Sequence, residues 1–253
     1  MLYRKHYSRA IGTEAEIYVY PKMTDVSEIV TVCERMLGTL QCAKRLYEDP
    51  FAFRTIRNYT TDDPMKTINW KASAKTGSLM VNTFDSAQSQ KAMIFLDVED
   101  TGILKYEDLV EESIALAATM MRRLHRQNIE VGFVFNGKGS EVFLPANNRG
   151  NRIVLERLLA EYDKEGGAED FGQLIRILFS ETFTPNPLTE DTLLVFVTKN
   201  LKEPLAECIR ECVGEHQTLV IVPVYRGEKN SLNDVMQKSR DNMLIMVKEV
   251  ERT

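Results

Sequence analysis

Tryptophan occurs once in this sequence, histidine three times and cysteine four times, and each scarcity excludes something. Cys33, Cys42, Cys208 and Cys212 have spacings that match no disulfide framework, so a stapled secreted scaffold is excluded. His6, His125 and His216 do not fall at the carboxyl end of an expected strand. No Gly-x-Ser-x-Gly turn occurs either, so no nucleophile–base set is evident. Glycine (13) and proline (8) are sparse and no repeat or low-complexity tract is present, which argues against disorder. Long apolar runs are also missing. The longest, TLLVFV and TLVIVPV, fall far short of the ~20 residues that span a bilayer. The charged start, MLYRKHYSRAIGTEAE, does not read as a secretory signal, so none is expected. A large cationic excess is lacking too: 32 basic residues face 37 acidic ones, a net charge of -5. That balance argues against nucleic-acid binding driven by phosphate neutralisation. The expectation is a soluble, cytoplasmic chain.

What is present is enough for a sizeable core. Of 253 residues, 43% are hydrophobic, which suits one large domain or a domain plus an appendage. AEIYVYPK (15–22) alternates as a strand. TDVSEIVTVCERMLGTL follows as a helix with Asp25 or Ser27 as N-cap. FAFRTIRNY reads as a strand. From residue 79 a regular pattern sets in. SLMVNTF and KAMIFLDVED read as adjacent strands, and residues 105–127 as a long amphipathic helix. IEVGFVFN, DTLLVFVTKN and TLVIVPVY are buried strands separated by further helices. Wholly apolar strands between amphipathic helices predict an α/β fold: a doubly wound, mostly parallel, Rossmann-like sheet with helices on both faces. An N-terminal extension (1–78) would precede the α/β domain (79–253). In such sheets sites form at the carboxyl ends of the strands. The segments to inspect are therefore LDVEDT, FNGKGS, VTKN and PVYRGE.

Two motifs are rejected on physical grounds. Gly132, Gly137 and Lys138 have P-loop spacing, but Gly139 stands where a Mg²⁺-ligating hydroxyl is needed, and FVFN continues a strand. Cys208, Cys212 and His216 share a helix face, yet the outer two lie ~12 Å apart along the axis at the helical rise. They cannot converge on one zinc ion, and buried cysteines on a core-facing stripe are the better reading. Asp97, Glu99 and Thr101 are more informative. They alternate at the end of a buried strand, and their oxygens suit a hard cation such as Mg²⁺. The alternative is an ordinary acidic loop.

Trp70 lies in one of the most polar stretches, TTDDPMKTINWKASAKTG. It is surrounded by Arg54, Arg57, Asp62, Asp63, Lys66, Lys71 and Lys75. Pro64 suits the first turn of a short helix capped by Asp63. Composition leaves two readings open: a plug turned inward, or an interface anchor. The plug, held by charge pairs of Asp63, Lys66 and Lys71, is the leading expectation.

EDPFAFRTIRNYTTDDPMKTINWKASAKTGSLMVNTF closely resembles the hallmark segment of the bacterial domain of unknown function 58 (DUF58) family. Arg57, Tyr59, Asp63, Ile68, Trp70, Lys71, Ala72, Ser73, Ala74, Gly77, Leu79 and Val81 match its pattern. Thr61, Asp62, Lys66 and Lys75 depart from it. The resemblance implies a von Willebrand factor A-like domain, in which a metal-ion-dependent adhesion site begins Asp-x-Ser-x-Ser. Here that motif stands as Asp97-Val98-Glu99-Asp100-Thr101, a degenerate site. Lys199 occupies the place of a later Asp. An ion pair between Lys199 and Asp97 is the expectation. Family members are often encoded beside MoxR-type AAA+ ATPases and are usually membrane-anchored by N-terminal helices, so a longer form would be membrane-associated.

Two functions follow as expectations. The first is a non-catalytic protein-interaction module without cofactor, working with a MoxR-type ATPase. Its interaction residues would be Arg54, Arg57, Tyr59, Asp63, Lys66, Trp70 and Lys71. The alternative is a Mg-dependent hydrolase or phosphoryl-transfer enzyme using Asp97 and Glu99.

Overall fold

The computed structural model describes residues 18–47, 55–60, 65, 68–83, 90–100, 106–138, 141–146, 149–162, 167–180, 188–228, 232 and 240–252. By contacts the chain forms two compact units. One comprises residues 1–40 with 90–253, the other residues 41–89. The boundaries thus fall at 40/41 and 89/90, where the sequence pattern places one at 78/79.

The larger unit is built on a six-stranded sheet. β3 (Lys91–Leu96), β4 (Glu130–Phe135), β6 (Thr192–Val197), β7 (Thr218–Tyr225) and β8 (Met243–Val250) run parallel, and β5 (Glu141–Ala146) runs antiparallel on β4. The order is β5-β4-β3-β6-β7-β8. From β3 the chain winds outward to one edge, then returns beside β3 as β6 and winds to the other. This doubly wound path puts the switch point between β3 and β6.

Alternation along the strands sorts the core into two layers. Ala92, Ile94 and Leu96 of β3, with Val195 and Val197 of β6, face α1 (Ser27–Tyr47), α3 (Glu107–Arg126) and α4 (Arg149–Glu161). Met93, Phe95, Leu194 and Phe196 face the opposite way, onto α5 (Phe171–Leu178) and α6 (Glu203–Val213). Both faces of the sheet are buried, which is why these strands read as unbroken apolar runs. Each fully buried Phe or Leu contributes about 1.5–3 kcal/mol.

β5 and β8 are not legible as strands in the sequence. β5 is half-exposed and carries Pro145, and β8 is apolar only in its first half. Both are edge strands, where one flank is free of packing. Gly132 makes the β4–β5 pairing possible. A Cβ there would collide with the Met93 sulfur and come within 2.9 Å of the Phe143 carbonyl oxygen. The expected strand at 15–22 is not found in its described part. Residues 18–22 carry no strand, and residues 15–17 lie outside the described residues. Just downstream, Thr24 hydrogen-bonds to Thr119 and Glu112 of α3, so this part of the chain lies along a helix. Among the described residues no helix is long and apolar enough to cross a membrane.

In the smaller unit β1 (Thr55–Asn58) pairs antiparallel with β2 (Met80–Thr83), and Ile68 bridges to Val81. β2 therefore pairs with β1 rather than with β3, its expected neighbour. Between them lies the short helix α2 (Trp70–Thr76).

Candidate functional site

Three of the four strand ends singled out by the sequence converge at the switch point. Asp97 follows β3, Asn136 follows β4, and Thr198, Lys199 and Asn200 follow β6. Asp97, Asn136 and Thr198 are almost completely buried. The strand register holds them there: Asp97 N–H donates to the Val197 carbonyl at 3.0 Å and Thr198 N–H to the Ile221 carbonyl at 3.1 Å.

The Asp97 carboxylate accepts four hydrogen bonds. Oδ1 takes the Glu99 N–H at 2.9 Å and Asn136 Nδ2 at 3.0 Å. Oδ2 takes the Thr198 hydroxyl at 2.6 Å and Asn200 Nδ2 at 3.0 Å. Each donor is held in turn. Asn136 Oδ1 accepts from Val98 N–H at 2.8 Å while its Nδ2 also reaches the Glu169 carbonyl at 3.0 Å. The Thr198 oxygen accepts from Asn200 N–H at 2.9 Å, which directs the hydroxyl proton to Asp97. Asn200 Nδ2 also donates to the Glu99 carbonyl at 2.7 Å. A hydrogen bond to a charged group contributes about 1.5–3 kcal/mol. Four of them offset the several kcal/mol lost when a carboxylate leaves water.

Lys199 completes the cluster, but its partner is not Asp97. Its ammonium lies 2.8 Å from Asp100 Oδ1 and 3.1 Å from Asn200 Oδ1, with only 4% of the side chain exposed. The Tyr106 ring stands 5.6 Å away, and Asp100 Oδ2 accepts the Tyr106 N–H at 2.9 Å. The expected Lys199–Asp97 pair is therefore corrected to Lys199–Asp100. The reason is local: the four neutral donors already fill Asp97, while Asp100 lies in the loop that leads to α3. The fourth strand end contributes Tyr225, whose ring packs against Tyr106 at 6.0 Å.

This donor set does not fit a resident Mg²⁺. A carboxylate has about four lone-pair directions, and Asp97 spends all four on protein donors. An octahedral cation at about 2.0–2.1 Å would have to displace at least one of them. Thr101 lies outside the described residues, and among those described no three His, Cys, Asp or Glu side chains form a metal-binding group. Sequence reasoning points to Asp97 but misses Asn136, Thr198 and Asn200. The amide and hydroxyl side chains at the same strand ends are the available signal.

The family-like segment lies in the smaller unit. Trp70, expected to pack inward, is 65% exposed. It occupies the first turn of α2, which Asn69 caps by accepting Ala72 N–H at 2.9 Å; the helix start expected at Asp63 and Pro64 lies outside the described residues. The inward-facing position is taken by Ser73 instead. Its hydroxyl donates to the Asn69 carbonyl at 2.8 Å and accepts Met80 N–H at 2.9 Å, joining α2 to β2. Lys71 is exposed and forms none of the expected charge pairs among the described residues. Arg57 is exposed, with its guanidinium on the Asn58 carbonyl at 3.1 Å, and Tyr59 is half-buried. Arg54, Asp63 and Lys66 lie outside the described residues.

The cysteine stripe agrees with a packing role. Cys208 is buried in the α6 layer and Cys212 packs at its margin. Burial raises the Cys212 thiol to about 11 and the Cys33 thiol to about 12. Burial also lowers the pKa of His216 below its ordinary value, against smaller opposing effects of Thr192, Glu190 and Asp191.

Comparison with known proteins gives one family. The model described as "Protein of unknown function DUF58" matches residues 55–238. No curated protein matches the chain. A solved structure of proximal thread matrix protein 1 from the mussel byssus is similar at 12% identity with a TM-score of 0.41. The match covers 63% of this chain and 44% of that one.

Proposed function

The chain belongs to the DUF58 family, and from that premise we propose that it is a non-catalytic protein-interaction module of von Willebrand factor A-like type. The observation that carries this reading is the filled coordination of Asp97. A general base or a metal ligand must turn a lone pair towards substrate or cation. Asp97 has all four directions on Glu99 N–H, Asn136, Thr198 and Asn200. Asp100 is engaged by Lys199 and Tyr106 N–H. The ammonium of Lys199 supplies positive charge from within the chain, so a metal ion is not needed to neutralise the strand ends. The von Willebrand A-like assignment draws support from the doubly wound order with Asp97 after its first strand. The exposed Trp70 supports a role in binding rather than chemistry. The cellular setting we propose is the cytoplasmic side, with a MoxR-type AAA+ ATPase as the partner that the family resemblance implies.

Mixing the purified chain with a MoxR-type ATPase tests the proposal by co-elution and ATP turnover. The expected result is a stoichiometric complex with altered turnover. Mg²⁺-dependent phosphate-ester hydrolysis by the chain alone, abolished in Asp97→Asn and Glu99→Gln, would establish the hydrolase alternative instead.

A further inference from the structure

The outward face of α2 works against the helix's own stability. Trp70, Lys71, Ala74 and Lys75 are exposed, while Ala72 and Ser73 are half-buried. At about 100° per residue these four fill an arc of roughly 140°, and Thr76, also exposed, lies outside it. Among the described residues the indole makes no hydrogen bond or ring contact, and neither lysine forms an ion pair. Lys71 and Lys75 are like charges at i,i+4, a repulsive spacing. Lys71 also sits in the first turn, which lacks any acidic residue and where the helix dipole disfavours a cation.

The helix is nevertheless held firmly. Asn69 caps its start. Gly77 closes its end at φ 73 with an N–H to the Ser73 carbonyl, and Ser73 ties it to β2. An exposed indole and two ammonium groups are thus presented on a fixed support. Residues 41–89 as a whole hold seven of the 32 basic and five of the 37 acidic residues, opposite in sign to the chain's -5.

We propose that the Trp70–Lys71–Lys75 face docks an acidic segment of a partner protein. Lysines one turn apart have Cβ atoms about 5–6 Å from each other. Two carboxylates at i and i+4 of a helix match that spacing, as do two at i and i+2 of a strand, about 6.6–7 Å apart. A flanking aliphatic or proline side chain lies against the indole. A nucleic acid fits less well, because two lysines neutralise few phosphates. A membrane surface fits less well too, because a seven-residue helix with one large apolar group has little to insert. The inference rests on the interaction reading above and names the chemistry of its partner.

Trp70 is the only tryptophan, so its fluorescence reports on this face alone. The intact chain is titrated with a synthetic helical peptide bearing Glu at i and i+4 beside Leu. Parallel titrations use the same peptide with Gln for Glu, phosphatidylserine–phosphatidylcholine vesicles, and a single-stranded oligonucleotide. The expected result is a saturable blue shift with the Glu peptide only. It weakens with salt and falls at least about ten-fold in affinity in Lys71→Ala/Lys75→Ala. Circular dichroism of that variant checks that it is folded. No shift with the Glu peptide, an equal shift with the Gln peptide, or a shift only with vesicles or oligonucleotide would overturn the proposal. Ester hydrolysis or its absence leaves this titration unaffected, so the two readings fail separately.

Discussion

The Lys199 ammonium lies 2.8 Å from Asp100 Oδ1, with 4% of the lysine side chain and 16% of the aspartate side chain exposed. The pair ties the loop after β3 to the loop after β6, at the one place in the sheet where neighbouring strands diverge in winding. Breaking such a pair from one side leaves a charge without its partner, at about 3–5 kcal/mol for a fully buried case. Lys199→Met should therefore destabilise by about 3 kcal/mol, the low end, because Asp100 keeps some water. The double variant Lys199→Met/Asp100→Asn should recover much of that loss. A urea-unfolding double-mutant cycle measures it, and simple additivity of the two single losses would contradict the pairing.

Asp97→Asn preserves shape and reverses part of the hydrogen bonding. One oxygen becomes an NH₂ facing groups that themselves donate: Asn136 and Glu99 N–H on one side, Thr198 and Asn200 on the other. Leaving buried donors unsatisfied costs about 1–3 kcal/mol per group, so a loss of about 2–4 kcal/mol is expected in thermal or urea unfolding. A neutral substitution would show that the network is not closed around Asp97.

Trp70→Ala should leave unfolding stability within about 0.5 kcal/mol of the wild type, as for a surface substitution. A plug turned into a core would instead lose about 3–5 kcal/mol. The same variant abolishes the fluorescence signal, which confirms the source of the emission.

His216 has its pKa lowered by burial from the ordinary 6.5. The unfolded chain therefore binds the proton more readily than the folded one. Stability from this group is fully present above pH 6.5 and is lost as pH falls through the folded value. Unfolding midpoints should decline on acidification below that point. The decline should be shallower in His216→Gln, and an unchanged pH slope in that variant would assign the effect to other groups.

Much of this architecture is legible in the amino-acid sequence. Strands buried on both faces announce themselves as apolar runs, and TLLVFV and TLVIVPV form β6 and the greater part of β7. Edge strands lack that signature, and β5, with Pro145 and mixed exposure, stays hidden. At the strand ends, chemistry-bearing residue types are legible but their partners are not. Lys199 is an obvious counter-charge for the acidic residues after β3, and only the three-dimensional crowding of donors around Asp97 sends it to Asp100. Trp70 illustrates the opposite error. A large apolar side chain suggests burial, but the helix starts at Asn69 and turns Ser73 inward, so residue 70 points to solvent.

Calorimetric titration of the wild-type chain with Mg²⁺ and Mn²⁺ is the most direct measurement for the closed switch point. Because Lys199 and four donors already satisfy the carboxylates there, no saturable heat and no rise in unfolding temperature are expected with either cation. Stoichiometric binding of either ion, lost in Asp97→Asn and retained in Lys199→Met, would show that Asp97 opens to a metal and would contradict it.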